Sequence, residues 1–169
     1  HVASIRILET VGVRIPHKTI LEKFKQVGAK VDESAELVKI PEQLVMNSLE
    51  KAGKSFCVFG REHGKQARFG FGERNYNSIA GEAHWVDDFC LTRRSASLSD
   101  VTTATRLGDA LEYINIVGAM SDPQELPPSY RCVEVVAEQL KNTTKPITFW
   151  FNDRHSAKYI LELFAAVTG

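Results

Sequence analysis

Neither sign of charge is in surplus: Lys and Arg total 21, Asp and Glu total 21, and the formal net charge is zero. Such a surface has no field to gather nucleic acid or an anionic membrane, so neither is expected as a partner. No apolar run approaches the ~20 residues that span a bilayer, and no charged-then-apolar leader opens the chain. Cysteine is scarce. Cys57, Cys90 and Cys132 are odd in number, widely separated and outside any metal pattern, so free thiols in a reducing, cytoplasmic compartment are expected. The five histidines, His1, His17, His63, His84 and His155, never fall at a ligand spacing, and no metal site is expected. Phosphate loops are missing too. There is no GxxxxGK[ST] run, and Gly70-Phe71-Gly72 lacks a third glycine in phase because position 75 is Asn; it reads as a turn between strands.

What is present is enough for a core, since a chain of 169 residues buries roughly 70 % of its unfolded surface. Val2, Ile5, Leu8 and Val11 recur at helical spacing. Pro16 opens a second helical pattern, with Ile20, Leu21, Phe24 and Val27 on one face and Gly28 as its stop. Residues 30–32 and 37–40 read as a small hairpin, and Pro41 opens a third helix with Leu44, Val45 and Leu49 inward. Residues 55–60 and 66–71 then read as two strands joined around His63-Gly64.

From there the period alternates. Residues 74–80, 113–121 and 146–151 read as strands, and each is followed by a helical stripe. A hairpin of residues 84–87 and 91–94 around Asp88-Phe89-Cys90 interrupts the first crossover. Ser97 and Asp100 make a capping-box-like start for the helix that follows. Strands separated by whole helices pair in parallel, because a parallel neighbour cannot be reached by a tight turn. The fold expected is α/β: an N-terminal helical and β-hairpin appendage over residues 1–72, then, over 73–169, the first three βα units of a (β/α)8 barrel, which needs ~250 residues to close. An open doubly wound sheet is the rival. The chain begins at His1 within a helical pattern rather than at Met, and its βα series is unfinished, so it is expected to be a piece of a longer protein.

In parallel sheets of either kind the chemistry gathers at the carboxyl ends of the strands. Those ends carry Asn77 and Glu82, with His84 just beyond; Ser121 and Asp122; and Trp150, Phe151 and Asn152. Trp150 and Phe151 offer aromatic faces that hold an organic cation through the ring quadrupole. Alternation sends only one of the two inward. Asp87-Asp88 and Arg93-Arg94 read as a solvated ion-pair network across the hairpin.

Several segments, taken in order, carry a resemblance. Glu9-Thr10-Val11-Gly12-Val13-Arg14-Ile15-Pro16-His17, Val27-Gly28-Ala29-Lys30-Val31-Asp32, Val38-Lys39-Ile40-Pro41, the FCVFGR run of residues 56–61, and Asn142-Thr143-Thr144-Lys145-Pro146 resemble the start of the trimethylamine methyltransferase family. The resemblance implies a (β/α)8 barrel that moves a methyl group from a tertiary or quaternary amine to the Co(I) of a corrinoid. The corrinoid would be supplied by a carrier protein, with no cofactor bound directly by this chain. Some members of the family carry pyrrolysine and use trimethylamine, and others use betaines. At the first strand the family's Gly-rich run is replaced by Ser78-Ile79-Ala80-Gly81-Glu82, so the amine stays open. On this reading Asn77, Ser121 and Asn152 are candidate donors to a betaine carboxylate, and Asp122 or Glu82 offsets cationic charge. The chain alone is expected to be inactive and to self-associate through its exposed sheet edge as a homo-oligomer. The contrasting expectation is a non-catalytic α+β module that binds a ligand or partner.

Overall fold

The computed structural model describes residues 1–87 and 92–168. The expected turn at Asp88-Phe89-Cys90, together with Leu91, lies outside them. The chain divides into two compact units, His1–Lys54 and Ser55–Gly169. The sequence division at residue 72 falls inside the second unit.

The first unit opens with α1 (Val2–Arg6), continued by a π-helical turn, Ile7–Val11, that closes when Gly12 N–H donates to Ile7 O at 2.9 Å. A wider turn changes the angular step, so the 3.6-residue phase that groups Val2, Ile5, Leu8 and Val11 is lost. Only Ile5 of the four is buried, and Val11 is 63 % exposed. Strands β1 (Val13–Arg14), β2 (Lys30–Asp32) and β3 (Leu37–Lys39) form one antiparallel sheet in the order β1-β3-β2. Helices α2 (Lys18–Gln26) and α3 (Glu42–Lys51) complete the unit. Leu21, Ala29 and Val38 form its core, with Phe24 and Leu44 against them. Val27 and Leu49 were expected inward but are exposed: Val27 is the residue past the last turn of α2, and α3 buries no residue fully.

The second unit begins with the hairpin β4 (Phe56–Phe59) and β5 (Gln66–Phe69), in which Phe56 stacks on Phe69. After it, Gly70 and Gly72 take φ of 85° and 81°, so Gly70-Phe71-Gly72 is the turn its composition suggested. Three parallel strands follow: β6 (Tyr76–Asn77), β9 (Ile114–Gly118) and β10 (Ile147–Thr148). Their spatial order is β10-β9-β6, so strands consecutive in the parallel series are neighbours. Between β6 and β9 lie the antiparallel hairpin β7 (His84–Asp87) and β8 (Thr92–Ser95) and helix α4 (Leu98–Ala110). Helix α5 (Arg131–Asn142) joins β9 to β10, and α6 (Arg154–Thr168) follows β10. Helix α5 packs on both α4 and α6.

Alternation along β9 and β10 decides which side chains meet the helices. Val117 and Ala119 are fully buried, Ala119 against Val101 and Val135. Ile147 and Phe149 pack on Cys132, Val136, Leu140 and Ile160, with Phe164 tilted over Phe149. Gln139, fully buried in α5, donates from Nε2 to Val117 O and to Thr148 O, each at 3.2 Å, and so ties β9 to β10. Lys145 donates from Nζ to Gly108 O and Leu111 O, closing the last turn of α4, and burial holds its pKa below the ordinary lysine value. Arg61, in the β4–β5 turn, donates from Nη2 to Leu140 O and to Thr143 O (2.9 Å), and anchors the hairpin to the end of α5.

The strand read over residues 74–80 forms as two residues because its ladder changes partners. Gly118 N–H donates at 2.7 Å to the Ser78 hydroxyl rather than to a carbonyl, and Met120 N–H then donates to Ile79 O at 2.9 Å. Close approach is possible only because position 118 is glycine. A Cβ there would overlap the carbonyl oxygens of Ile79 and Ser78.

The capping box forms as read: Ser97 Oγ accepts from Asp100 N–H, and the Asp100 carboxylate accepts from Ser97 N–H. Arg94 adds a fork. It donates to Asp87 from Nε and Nη2 and to Asp100 from Nη1 and Nη2, over 2.6–3.0 Å. Arg94 chiefly, and Ser97 next, hold the Asp100 carboxyl at about 2 against its ordinary 3.8, although burial opposes this. A depressed carboxyl pKa contributes stability above the unfolded value and loses it as pH falls toward the folded one. Asp100→Asn is therefore expected to cost on the order of 1 kcal/mol at pH 6, discounted for the solvent that reaches Arg94, and almost nothing near pH 2. Thermal melts of both forms across that range check it. An equal gap at both ends would show that ionisation of Asp100 is not involved.

Candidate functional site

Met120 sits at φ 55°, a left-handed conformation that costs a non-glycine residue about 1–2 kcal/mol. The kink follows β9 directly and turns the chain so that Ser121 is buried, with its hydroxyl donating to Ala119 O at 3.4 Å. Asp122 N–H then donates to Glu82 O at 2.7 Å, which brings the segments after β6 and β9 together. Gly81 fits beside Ser121, where a Cβ would lie 3.3 Å from the Ser121 carbonyl oxygen.

These segments, the end of the β10 run and the first turn of α5 enclose a cavity of about 220 Å³. That is below the ~300–1,000 Å³ of sites for drug-sized molecules, and suits a ligand of few heavy atoms. Five of the sequence candidates line it: Glu82, Ser121, Asp122, Trp150 and Asn152. Three do not. Asn77 is the exposed last residue of β6 and does not line the cavity. His84 belongs to β7, where Arg93 Nη2 donates to its Nδ1 at 3.1 Å. Phe151 is 57 % exposed beside Phe149, with ring centroids 6.3 Å apart, and does not line the cavity. Of the pair Trp150 and Phe151 only Trp150 lines the cavity; Phe151 does not pack beneath a helix, and it is Phe149 that packs against α5 and α6.

Charge in the cavity is arranged by α5. Arg131, its first residue, donates from Nη1 to Asp122 Oδ2 at 2.9 Å and from Nε and Nη2 to Leu126 O at 3.0 and 2.7 Å. The Arg131 side chain is 15 % exposed and that of Asp122 is 44 % exposed. Asp122 also accepts from Gln124 Nε2 at 2.9 Å. No side-chain hydrogen bond engages the Glu82 carboxylate among the described residues, so of the two acids it is Glu82 that is left to face a ligand. Arg131, Cys132 and Val135 are the residues that strand-end reasoning missed. The available signal was positional, since in a βα unit a helix begins at the same end of the sheet where the preceding strand finishes.

Cys57 and Cys132 are free thiols; Cys90 lies outside the described residues. Among the described residues no three His, Cys, Asp or Glu side chains gather as a metal site, and no helix is long and apolar enough to cross a membrane.

The model of the trimethylamine methyltransferase family, MTTB, matches residues 1–169. The chain belongs to that family. It is 27 % identical over its whole length to trimethylamine methyltransferase MttB of Desulfitobacterium hafniense, covering 34 % of that protein. It is also 23 % identical over its whole length to a glycine betaine methyltransferase of the same species, covering 35 % of it. A trimethylamine methyltransferase of Methanosarcina mazei shares 32 % identity over 89 residues, 51 % of this chain and 16 % of that protein. The chain thus spans about a third of the length of the curated relatives that match it throughout.

Proposed function

We propose that this chain forms part of an enzyme that takes a methyl group from a tertiary or quaternary amine, trimethylamine or a betaine, for transfer to the Co(I) of a corrinoid carried by a partner protein. The observation that carries the reading is the cavity at the strand carboxyl ends, lined in a member of this family by both Trp150 and Glu82, whose carboxylate has no side-chain hydrogen bond among the described residues. An indole face and a carboxylate attract a methylated ammonium without requiring that its charge be desolvated against a buried counter-ion. The corrinoid supplies the electron pair that receives the methyl group, and the open rim, with Trp150 66 % exposed, leaves room for a partner-borne group to approach. The chain's own residues orient the N–CH₃ bond toward that opening and crowd water away from it. When the methyl departs, the C–N electron pair stays on nitrogen. A quaternary nitrogen leaves as a neutral amine, whereas a tertiary one needs a proton first.

We further read β6, β9 and β10 as the opening strands of a (β/α)8 barrel. Their order follows the chain without reversal and α5 packs on both neighbouring helices, as in a singly wound series, whereas a doubly wound sheet reverses at its switch point.

The test is kinetic. In the full-length gene product, assayed with trimethylamine or glycine betaine and a reduced corrinoid protein, Trp150→Ala is expected to raise KM about tenfold, the scale of a cation–π contact of 1–2 kcal/mol. Turnover with KM unchanged in the variant would remove Trp150 from the amine site. No methyl transfer by the wild-type protein would favour the non-catalytic alternative.

A further inference from the structure

The guanidinium of Arg131 has five N–H donors, and three are used: one to Asp122 and two to Leu126 O. Two remain without a protein acceptor among the described residues, on a side chain only 15 % exposed that lines the cavity. Buried donors are rarely left unpaired, and an acceptor from outside the protein would complete them. Arg131 is also the first residue of a twelve-residue helix whose N-cap, Tyr130, provides no side-chain cap. The positive end of the helix dipole therefore lies on the same wall, and its first turn contributes Arg131 and Cys132 to the lining. The same cavity is also lined by Glu82 and Trp150, features of the opposite preference.

Resting on the amine-site reading above, we infer that Arg131 is the specificity-determining residue: its two free N–H groups bind a carboxylate of the ligand, so the cavity selects a zwitterionic N-methylated amino acid over a simple methylamine. The Asp122 contact does not prevent this. Arg94 in the same molecule holds two carboxylates at once, those of Asp87 and Asp100. Asp122 serves instead to aim the guanidinium, and the two bonds to Leu126 O keep it from swinging away.

Calorimetric titration of the full-length protein with glycine betaine and with choline tests this. Both carry a trimethylammonium head, and only the first carries a carboxylate. Wild type is expected to bind glycine betaine at least about tenfold tighter than choline, the scale of one charge-assisted hydrogen-bonded pair. Arg131→Met is expected to reduce that preference to about twofold or less, with choline affinity little changed. Arg131→Lys, which keeps the charge but loses the fork, should fall between the two. Equal wild-type affinities for the two ligands would overturn the inference and leave the amine site standing, and so would a folded Arg131→Met that keeps the preference. If neither ligand binds, the amine-site reading itself falls. Should the methionine variant not fold, the wild-type comparison and the lysine variant still decide.

Discussion

Gly118→Ala is expected to destabilise the protein by about 3 kcal/mol or more. The new Cβ would overlap the carbonyl oxygens of Ile79 and Ser78, which are backbone atoms and cannot rotate out of the way. Relief requires the segment after β6 to move off β9, and that breaks the bonds from Gly118 N–H to Ser78 Oγ and from Met120 N–H to Ile79 O. Overpacking of a well-filled site costs typically 1–3 kcal/mol, and loss of two hydrogen bonds, one of them buried, adds to it. For a domain of this size that corresponds to a fall in Tm of about 6–12 °C. Gly108→Ala is the comparison. There a Cβ would meet side-chain atoms and no backbone, the two Val117 methyl carbons at 2.9 and 3.4 Å and Ser78 Oγ at 3.6 Å, and a smaller loss of about 1 kcal/mol is expected. Equal melting temperatures for the two variants would show that β6 and β9 are not held so closely. The same displacement would carry Gly81 and Glu82 away from Ser121 and Asp122, so ligand affinity should fall with stability in Gly118→Ala and not in Gly108→Ala.

The second large effect belongs to Gln139→Glu, a change of one atom. The buried amide donates to carbonyls of both β9 and β10. A carboxylate in its place would turn a donor into an acceptor facing Val117 O and Thr148 O, and no cation hydrogen-bonds to Gln139 among the described residues. An uncompensated buried charge of this kind costs about 3–5 kcal/mol, or its pKa rises until it is neutral. The sign with pH follows. A raised carboxyl pKa makes the folded state bind its proton more tightly than the unfolded state, so the variant is most stable in acid and loses stability as pH rises through the unfolded value toward the folded one. Chemical denaturation at pH 5 and pH 8 should show a gap to wild type that widens with pH. A gap independent of pH would mean that water or a rearranged side chain satisfies the carboxylate.

Most of the secondary structure was legible, and the exceptions share a cause. The three parallel strands, the three antiparallel pairs of consecutive strands and the capping box at Ser97 and Asp100 follow from periodicity and local chemistry, which act between near neighbours in the chain. The misplacements of Val11 and Val27 come from phase: a π turn or an early helix end rotates an apolar residue outward, and nothing in the spacing of hydrophobic residues records it, whereas Leu49 lies within α3, a helix that buries no residue fully. Strand β6 is shorter than the strand-like run of residues 74–80 because a serine hydroxyl replaces a carbonyl in the ladder, a substitution between residues forty positions apart.

The rim shows the same division. Strand-end position alone was enough to bring Glu82, Ser121, Asp122, Trp150 and Asn152 to one cavity, because a parallel sheet gathers the carboxyl ends of its strands on one side. Asn77, His84 and Phe151 needed finer information: where β6 ends, that His84 begins a separate hairpin with Arg93 as partner, and which way the chain turns after Trp150. Composition and pattern thus set the βα cadence and the parallel pairing, which depend on local preference and order along the chain. Packing alone assigned the pairing of Arg131 with Asp122 and left the Glu82 carboxylate without a side-chain hydrogen bond among the described residues. Charge neutralisation is a matter of distance in space, and one guanidinium at the start of a helix chooses its carboxylate only after the strands and helices are in place.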